Sequence, residues 1–439
     1  MIMIRKMKNS GIEWIGDIPE AWRISRIKYV ADFDPSCDFS MLSPDSVITY
    51  TPMENIKNGY YIPNTAVLGS LSTSLTAYRD NDIVMAKVTP CFENGNIAVM
   101  SGLSSGAGLG SSELFVFRVK GMQTRYLFYW LQNHAFVEQA KATMTGTGGL
   151  KRVSPQFVRD CAIHCPPVDE QSRIADYLDI ECAQIDAVIE QTRASIEEYR
   201  KLKQSVITQA VTKGIRPGRK MKDSGAEWIG VVPEEWAVTK LKYFSSIRSG
   251  ITLGKTYPRD TKLVEYPYLR VANVQGSYTD LTDVATILVT EEEAEKYRLH
   301  DGELLMTEGG DRDKLGRGTV WHAEIDPCLH QNHVFALTTN DDLSAEYVSF
   351  LSSSLVGRDY FDVTANQSVH LASTNSTTIM NFTIPVPSIE EQNEIVSYLT
   401  VKSADLEKLI AKKQTLIFAL ESYKKTLIFE YVTGKKEVV

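Results

Sequence analysis

The stretch KNSGIEWIGDIPEAW at residues 8–22 sets the architecture, because it returns as KDSGAEWIGVVPEEW at residues 222–236. The chain has six tryptophans, and two of them fall at matching places in each copy. These four are Trp14, Trp22, Trp228 and Trp236. A long repeat at a spacing of 214 residues indicates that one structural unit is present twice. The sequence therefore predicts an internally duplicated fold.

A second repeat follows each copy of the first. CPPVDEQSRIADYLD at residues 165–179 matches PVPSIEEQNEIVSYLT at residues 385–400, with Glu-Gln pairs that are 221 residues apart. Each copy has proline in an extended segment, then the acidic pair, then a periodic apolar run. Proline and acidic residues are favoured in the first turn of a helix. The pattern predicts a strand end, a turn and the start of a helix.

Both runs after the Glu-Gln pairs contain apolar heptads in steps of three and four residues. The predicted seam is Leu406, Leu409, Lys413, Leu416, Leu420, Tyr423 and Leu427, matched by Ile185, Val188, Thr192, Ser195, Tyr199, Leu202 and Val206. A long helix is stable when its apolar stripe is covered, so the two helices are predicted to pair antiparallel and to set the distance between the globular parts. Because Lys413 matches Thr192, we expect that position to serve partner docking or register.

The chain thus alternates globular domains and long helices. The predicted boundaries are a first domain at 1–165, a first helix at 166–220, a second domain at 221–384 and a second helix at 385–439. Strand patterns such as NDIVMAKV and GELLMT, and helix patterns such as TRYLFYWLQN and AEYVSFLSSS, follow in the same order in both domains. The predicted fold class is mixed α/β, with two repeated α/β domains separated by two long antiparallel coiled-coil helices in a pseudo-twofold arrangement.

Composition is that of a folded protein of 439 residues, with 43% hydrophobic and 23% charged residues. We expect a cytoplasmic protein with reduced thiols, because the six cysteines come without an export signal or an apolar membrane span. Metal-ligand spacing is absent from the sequence, and no cofactor is expected. The net charge of −8 arises in residues 221–380, which hold 14 Lys and Arg against 24 Asp and Glu. DNA contacts there require local basic clusters or a partner.

Catalytic motifs were sought and not found in the sequence. CPPVDE at residues 165–170 lacks the amide or acid and the aromatic residue of an adenine methyltransferase loop, and GAGLG at 106–110 precedes a strand pattern. The complete phosphate loop of an ATPase does not occur. EGGDRDK at 308–314 has the residue types of a nuclease centre but is predicted to be a solvated glycine loop. The chain is therefore expected to be non-catalytic by itself.

The ordered set of motifs resembles the specificity subunit of type I restriction-modification systems. The segments concerned are the two Trp-Pro stretches, YLRVANVQ at 268–275, DIVMAKVTPCFENGNIAV at 82–99, ELLMTEGGDRDKLGRGTV at 303–320 and TGTGGLKRVS at 145–154. The resemblance implies two domains that each recognise half of a split double-stranded DNA target. It also implies docking of two methyltransferase subunits and of restriction subunits. TANQSVHLAS at 364–373 departs from TGTGGLKRVS, so shared contact residues are not implied.

Polar loop residues suited to base edges are the candidate DNA contacts, since Arg and Lys pair with guanine and Asn and Gln with adenine. They are Lys57, Lys87, Lys151, Arg152, Arg270, Asn273, Arg312, Lys314, Arg317, Gln331, Asn332, His333, Asn366, Gln367 and His370. Lys151 and Arg152 favour guanine in the first domain, whereas Asn366 and Gln367 favour adenine in the second.

Two other classes of protein stay open at this point. A coiled-coil adaptor would join proteins without DNA specificity, and the acidic second domain is its best support. An enzyme with an active site hidden from motif inspection is the other alternative.

Overall fold

The computed structural model of the chain describes residues 5–310, 315–367 and 372–438. These form two compact units, of which the first combines two segments that are distant in sequence and the second is one continuous segment. The first unit comprises Met1–Arg193 and Gln414–Val439, and the second comprises Ala194–Lys413. Each unit therefore contains one globular head and one part of each long helix.

The first head and the first long helix contain the following elements. They are β1 (Met7–Asn9), β2 (Asp17–Pro19), β3 (Arg23–Arg26), α1 (Ile27–Val30), β4 (Ala31–Phe33), β5 (Val47–Thr51), β6 (Thr65–Val67), β7 (Thr76–Arg79), β8 (Ile83–Ala86), β9 (Ile97–Val99), β10 (Ala107–Gly110), β11 (Leu114–Val119), α2 (Thr124–Gln132), α3 (His134–Ala142), β12 (Thr145–Thr147), β13 (Leu150–Arg152), α4 (Pro155–Asp160), β14 (Ala162–Cys165) and α5 (Val168–Lys213).

The second head and the second long helix follow the same plan. Their elements are β15 (Met221–Asp223), β16 (Val231–Pro233), β17 (Ala237–Lys240), β18 (Ser245–Ser249), β19 (Val264–Leu269), β20 (Ala285–Val289), α6 (Glu291–Tyr297), β21 (Leu304–Thr307), β22 (Gly309–Gly310), β23 (Gly318–Val320), β24 (Leu329–His330), β25 (Val334–Thr339), α7 (Ala345–Ser353), α8 (Leu355–Val363), β26 (Asn366–Gln367), β27 (Ala372–Ser373), α9 (Ser376–Met380), β28 (Thr383–Val386) and α10 (Ile389–Val432).

The central sheets of the two heads are equivalent. Their strand orders are β4-β11-β8-β9 and β18-β25-β21-β23. Leu114 pairs with Ala86 in the first sheet, and Val334 pairs with Thr307 at the same place in the second. The predicted mixed α/β class and the duplication are thereby confirmed. The predicted domain boundaries remain predictions, because the compact units divide both long helices between them.

Each head is closed by one segment of each long helix. The core of the first unit joins Trp130 and Phe136 of the head to Leu178 of α5 and Ile428 of α10. In the second unit, a core of the same kind includes Ile207 of α5 and Leu399 of α10. Burial of such side chains stabilises by about 1.5–3 kcal/mol each, so neither head has a complete core without both helices.

The two long helices pair antiparallel within each unit, as predicted. In the first unit Lys424 binds Asp186 at 2.7 Å, and Arg193 binds Glu421 at 3.0 Å. Residue numbers therefore decrease along α10 as they increase along α5, which is the antiparallel arrangement. In the second unit Lys203 of α5 binds Glu407 of α10 at 2.5 Å. The pairs Asp186–Lys424 and Lys203–Glu407 are equivalent under the 221-residue offset of the repeat.

The predicted seam is wrong by one position at several heptads. Ile189 and Ile196 are 5% exposed, whereas Val188 is 44% exposed and Leu409 is 40% exposed. The sequence has adjacent apolar residues at these places, so the period alone does not select which one is buried. Lys413, which was expected to serve register or docking, lies over the Tyr199 ring at 5.6 Å.

A buried Arg-Trp-Glu cluster explains the repeated Trp-Pro segment. In the first cluster, Trp22 Nε1 donates to Glu170 Oε2 at 3.0 Å, and Arg5 binds the same carboxylate and lies 5.3 Å from the Trp22 ring centre. Glu170 stands at the start of α5. We call this cluster the first socket.

The second socket repeats these contacts. Trp236 Nε1 donates to Glu391 Oε2 at 3.1 Å, and Arg219 binds Glu391, which is at the start of α10. Gly214, just beyond the end of α5, has φ +73°, and an added Cβ would lie 3.2 Å from Trp236. The socket therefore holds the start of one long helix and the end of the other, and glycine is required there by both conformation and space.

Candidate nucleic-acid interface

An exposed hairpin, β12–β13, projects from the first head. Gly146 has φ +149°, and a Cβ added to it would lie 2.1 Å from the Leu150 carbonyl oxygen. Thr89 fixes the hairpin, because its Oγ1 donates to Gly149 O at 2.8 Å and accepts from Lys151 N at 2.9 Å. Glycine thus lets two backbone segments approach closely, and the turn is held in one position against the loop that follows β8.

Three basic side chains and one acidic side chain surround the base of this hairpin. Arg152 donates from Nε and Nη2 to both carboxylate oxygens of Glu113, at 2.9 and 2.6 Å. These hydrogen bonds lower the pKa of Glu113 below its usual range. Lys87 Nζ lies 5.7 Å from the Phe115 ring centre, and the Lys151 side chain is exposed. Lys87, Lys151 and Arg152 therefore lie close together at the base of the hairpin.

The second head has a hairpin at the same place. β26 pairs with β27, and β27 pairs with β22, so that Gly309 lies opposite Ser373. The backbone contacts are repeated: Val153 N donates to Lys87 O at 2.9 Å, and Thr374 N donates to Glu308 O at 2.7 Å. We call each hairpin, with the strand ends that support it, a hairpin site.

The charges at the two hairpin sites differ. Lys87 N donates to Glu113 O at 3.0 Å, and Glu308 N donates to His333 O at 2.9 Å, so Glu308 occupies the position of Lys87. His333 occupies the position of Glu113, and its Nδ1 is hydrogen-bonded to the Glu308 carboxylate. A lysine next to an acid in the first site is thus replaced by an acid next to a histidine in the second. Neither Glu113 nor Glu308 was among the predicted contact residues, although Glu308 lies in the predicted glycine loop EGGDRDK.

Several predicted contact residues lie at or beside the second hairpin site. Asn332 Nδ2 is 3.3 Å from His333 Nε2, and Gln331 is fixed through its backbone N–H to Leu269 O at 2.9 Å. Asn366 and Gln367 form β26. The predicted contacts Arg312, Lys314 and His370 lie outside the described residues.

Other predicted contact residues lie elsewhere. Lys57 is half-buried on a separate loop, where its carbonyl accepts from Ile97 N at 3.0 Å. Arg270 binds Asp283 at 2.8 Å. Asn273 is 3% exposed, and its Nδ2 donates to two carbonyls of the same turn, so this amide shapes the turn instead of facing solvent. Arg317 lines a cavity of the second unit.

A largely buried ion pair lies at the start of one central strand in each head, since Asp82 directly precedes β8 and Glu303 directly precedes β21. Arg118 binds Asp82 at 2.8 Å in the first head, and Arg248 binds Glu303 at 2.5 Å in the second. Burial alone would raise the pKa of Glu303, but hydrogen bonds from Arg248 and from His300 N hold that pKa below its usual range. Both arginines are therefore paired with acids of the central sheets and are not available as DNA contacts.

The described part of the chain offers no cluster of three or more His, Cys, Asp or Glu side chains able to hold a metal ion. Within the same residues, none of the helices is apolar over a length that would cross a bilayer.

Comparison with known proteins gives consistent matches. A family model described as "Type I restriction modification DNA specificity domain" matches residues 16–198 and 233–416. The EcoAI specificity subunit of Escherichia coli is 28% identical over 196 residues, which cover 44% of this chain and 33% of that protein. The MjaVIII specificity subunit of Methanocaldococcus jannaschii is 24% identical over 449 residues, which cover 96% of this chain and 94% of that protein.

Two solved structures share the fold. One, from work on complex assembly and conformational transition of the type I R-M system, has a TM-score of 0.72 at 17% identity and covers 95% of this chain and 99% of that chain. The HsdS subunit from Thermoanaerobacter tengcongensis has a TM-score of 0.52 at 17% identity and covers 95% of this chain and 98% of that chain. The matches to the EcoAI and EcoEI subunits span 33% of each of those proteins.

Proposed function

The chain belongs to the family of type I restriction modification DNA specificity domains, and on that premise we propose that it selects the DNA target of a type I restriction-modification complex. The observation that carries the proposal is the equivalence of the two hairpin sites. Each is fixed by the same backbone bonds, yet each presents different side chains. A backbone scaffold that is repeated with different exposed side chains suits two recognition domains with different targets.

Each head is proposed to recognise one half of a split sequence. At the first site Lys87, Lys151 and Arg152 supply donors for guanine O6 and N7. At the second site Asn366 and Gln367 supply the paired donor and acceptor that adenine requires. Gln331, Asn332, His333 and Arg270, with Arg312, Lys314 and His370 from outside the described residues, complete the second proposed contact set. Lys57 is retained as a proposed contact, Asn273 acts through the turn it holds, and Arg317 is left out of the proposed contacts because it lines a cavity of the second unit.

The long helices are proposed to dock two methyltransferase subunits, with restriction subunits joining the assembly in the cytoplasm. Each unit has an apolar outer stripe on its pair of helix segments, made of residues that are 40–61% exposed. The outer stripe of the first unit is Ile180, Val188 and Tyr423, and that of the second unit is Val401, Leu409 and Leu202. These stripes are equivalent under the 221-residue offset, and two equal apolar surfaces suit two copies of one partner.

The chain itself is proposed to supply specificity and no chemistry. Its partners would also supply much of the charge that neutralises the DNA backbone, because residues 221–380 hold an excess of acidic groups. We therefore expect weak DNA binding by this subunit alone and tight binding by the complex.

Mapping of methylated adenines in a genome whose cells carry the complete system tests the proposal. A motif with two defined halves and an undefined spacer is expected. A continuous motif would contradict recognition by two heads. Filter binding of duplex DNA with and without the methyltransferase separates the proposal from the adaptor alternative, since an adaptor would leave the affinity and sequence preference of the partner unchanged.

A further inference from the structure

The second unit contains a cavity of about 630 Å³ that the proposed DNA recognition does not use. Its walls come from α5, α7 and α10 and from the segment that includes β23. A volume of this size is typical of sites for small organic molecules or for one or two protein side chains.

The duplication of the chain explains why the cavity exists. Phe128 and Leu131 of α2 are 7% and 1% exposed and belong to the core of the first unit. The equivalent residues of α7 are Ser349 and Ser352, and both line the cavity. The second unit thus has hydroxymethyl groups where the first has a phenyl ring and an isobutyl group, and volume is left unfilled.

Polar cross-links of the first unit are also missing at the equivalent positions. Arg125 binds Asp176 at 2.5 Å, and Tyr129 Oη donates to Asp179 at 2.7 Å. Tyr129 and Asp179 correspond to Phe350 and Thr400, which line the cavity and cannot form that hydrogen bond. This hydrogen bond between α2 and α5 of the first unit therefore has no equivalent between α7 and α10 of the second.

Three buried polar atoms of the cavity lining have no hydrogen-bond partner. They are Arg317 Nε, Gln204 Oε1 and Ser403 Oγ. A buried polar group left unpaired costs about 1–3 kcal/mol, so side-chain rotations that bring these groups to a ligand in the cavity would recover part of that free energy. The remaining lining combines apolar side chains such as Ile207 and Leu315 with charged ones, among them Glu346 and the ion pair of Lys203 with Glu407.

We propose that this cavity binds a ligand that has a carboxylate next to an amide N–H and an apolar side chain. This is the chemistry of an N-acylated apolar amino acid, and equally of a protein chain that ends in an apolar residue. Arg317 takes the carboxylate through a charge-assisted hydrogen bond, Gln204 Oε1 accepts from the amide N–H, and the apolar wall covers the side chain. The proposal is independent of the proposed function, because none of its steps involves DNA.

Calorimetric titration of the full chain with N-acetyl-L-phenylalanine tests the proposal, and N-acetyl-L-phenylalaninamide is the neutral control ligand. Saturable binding of the acid is expected, with the amide about tenfold or more weaker because it lacks the charge that Arg317 recognises. A peptide ending in phenylalanine separates the two sources of the ligand. Tighter binding of the peptide assigns the site to a chain terminus, and binding of the small acid alone assigns it to a free metabolite.

Two variants locate the binding. Arg317→Met removes the donor at nearly constant volume and is expected to weaken binding of the acid about tenfold or more. Ser349→Phe restores the residue of the first unit and is expected to abolish binding by filling the cavity. Arg216→Gln, which removes an exposed pair with Glu394 in the same unit, is the matched control and should bind normally. Equal binding of acid and amide, unchanged affinity in Arg317→Met, or no saturable binding by the unaltered chain would overturn the proposal.

Discussion

Glu391 is the residue on which the second socket depends. It is 5% exposed, accepts from Trp236 Nε1 and is bound by Arg219. Glu391→Gln would leave the largely buried guanidinium of Arg219 with only its second, more exposed partner, Glu235, and we expect a loss of up to about 3 kcal/mol in the free energy of unfolding. Glu394→Gln breaks the exposed pair with Arg216 and should cost under about 0.5 kcal/mol. Urea unfolding of both variants decides the point, and equal midpoints would contradict a structural role for the socket.

His164 gives the first unit a sensitivity to acid. It is fully buried beside Trp22, and burial lowers its pKa to about 4, from the ordinary value of 6.5. Below about pH 6.5 the unfolded chain takes up a proton that the folded chain does not, so stability falls from there towards pH 4, by about 2 kcal/mol at pH 5.

His164→Gln cannot be protonated, so its urea midpoint should fall less between about pH 7.5 and about pH 5 than that of the unaltered chain. His330 shares this behaviour, since burial also lowers its pKa to about 4, and part of the acid sensitivity will remain. Exposed His322 provides the control substitution. An identical pH dependence in His164→Gln would show that this histidine is not held neutral.

The role of such residues could be predicted only in part. The repeated tryptophans indicated a duplicated element, but Trp22 meets Glu170 across 148 positions of sequence. A single sequence contains no signal for a contact at that separation. Glu113 and Glu308 were missed for a related reason, since an acid is not a typical partner for a DNA surface and both gain meaning only from the neighbours that the fold supplies.

At the scale of elements, helix existence and order were predictable, whereas the buried face was not. Val188 precedes Ile189, and Leu409 precedes Ile410. Two neighbouring apolar stripes on each helix therefore fit the same heptad period. Packing against the heads and the partner helix selects one stripe. The other is left exposed as the outer stripe, which would be unexplained in a chain that worked alone.

The hairpin of the first head is the element on which half-site specificity is expected to rest. Lys151→Ala and Arg152→Ala should each weaken recognition of the first half-site by about 1–3 kcal/mol and leave the second half-site unchanged. Competition binding by the assembled complex, with each half-site altered in turn, measures this. Lys141→Ala, which removes a charge paired with Glu138 on a helix surface, is the control. Unchanged methylation of the first half-site in both variants would show that the contact set is wrong, although family membership would stand.

At the scale of the whole molecule, each unit is completed by a helix segment from the other half of the sequence. Tyr126 Oη donates to Val432 O at 3.0 Å in the first unit, and Tyr347 Oη donates to Val211 O at 3.0 Å in the second. Val211 and Val432 are equivalent positions, as are Lys203 and Lys424. One half of the chain therefore contains an equivalent of each of these contact positions.

A half-chain of residues 1–217 is accordingly expected to form a homodimer, in which the end of α5 from one copy takes the place of the end of α10 on the other. Light scattering after size-exclusion chromatography measures its mass. Lys203→Glu in the half-chain should weaken the dimer, since it would face Asp186 of the second copy. A folded monomer would contradict the shared construction of the units.

Exchange of one head, followed by genome-wide mapping of methylated adenines, tests most directly the claim that the two heads recognise DNA independently. Residues 1–165 would be replaced by the matching segment of a related system with a known target, and the methyltransferase would be kept constant. The account predicts that one half of the split motif changes to that of the donor and that the other half persists. A change in both halves, or in neither, would contradict it.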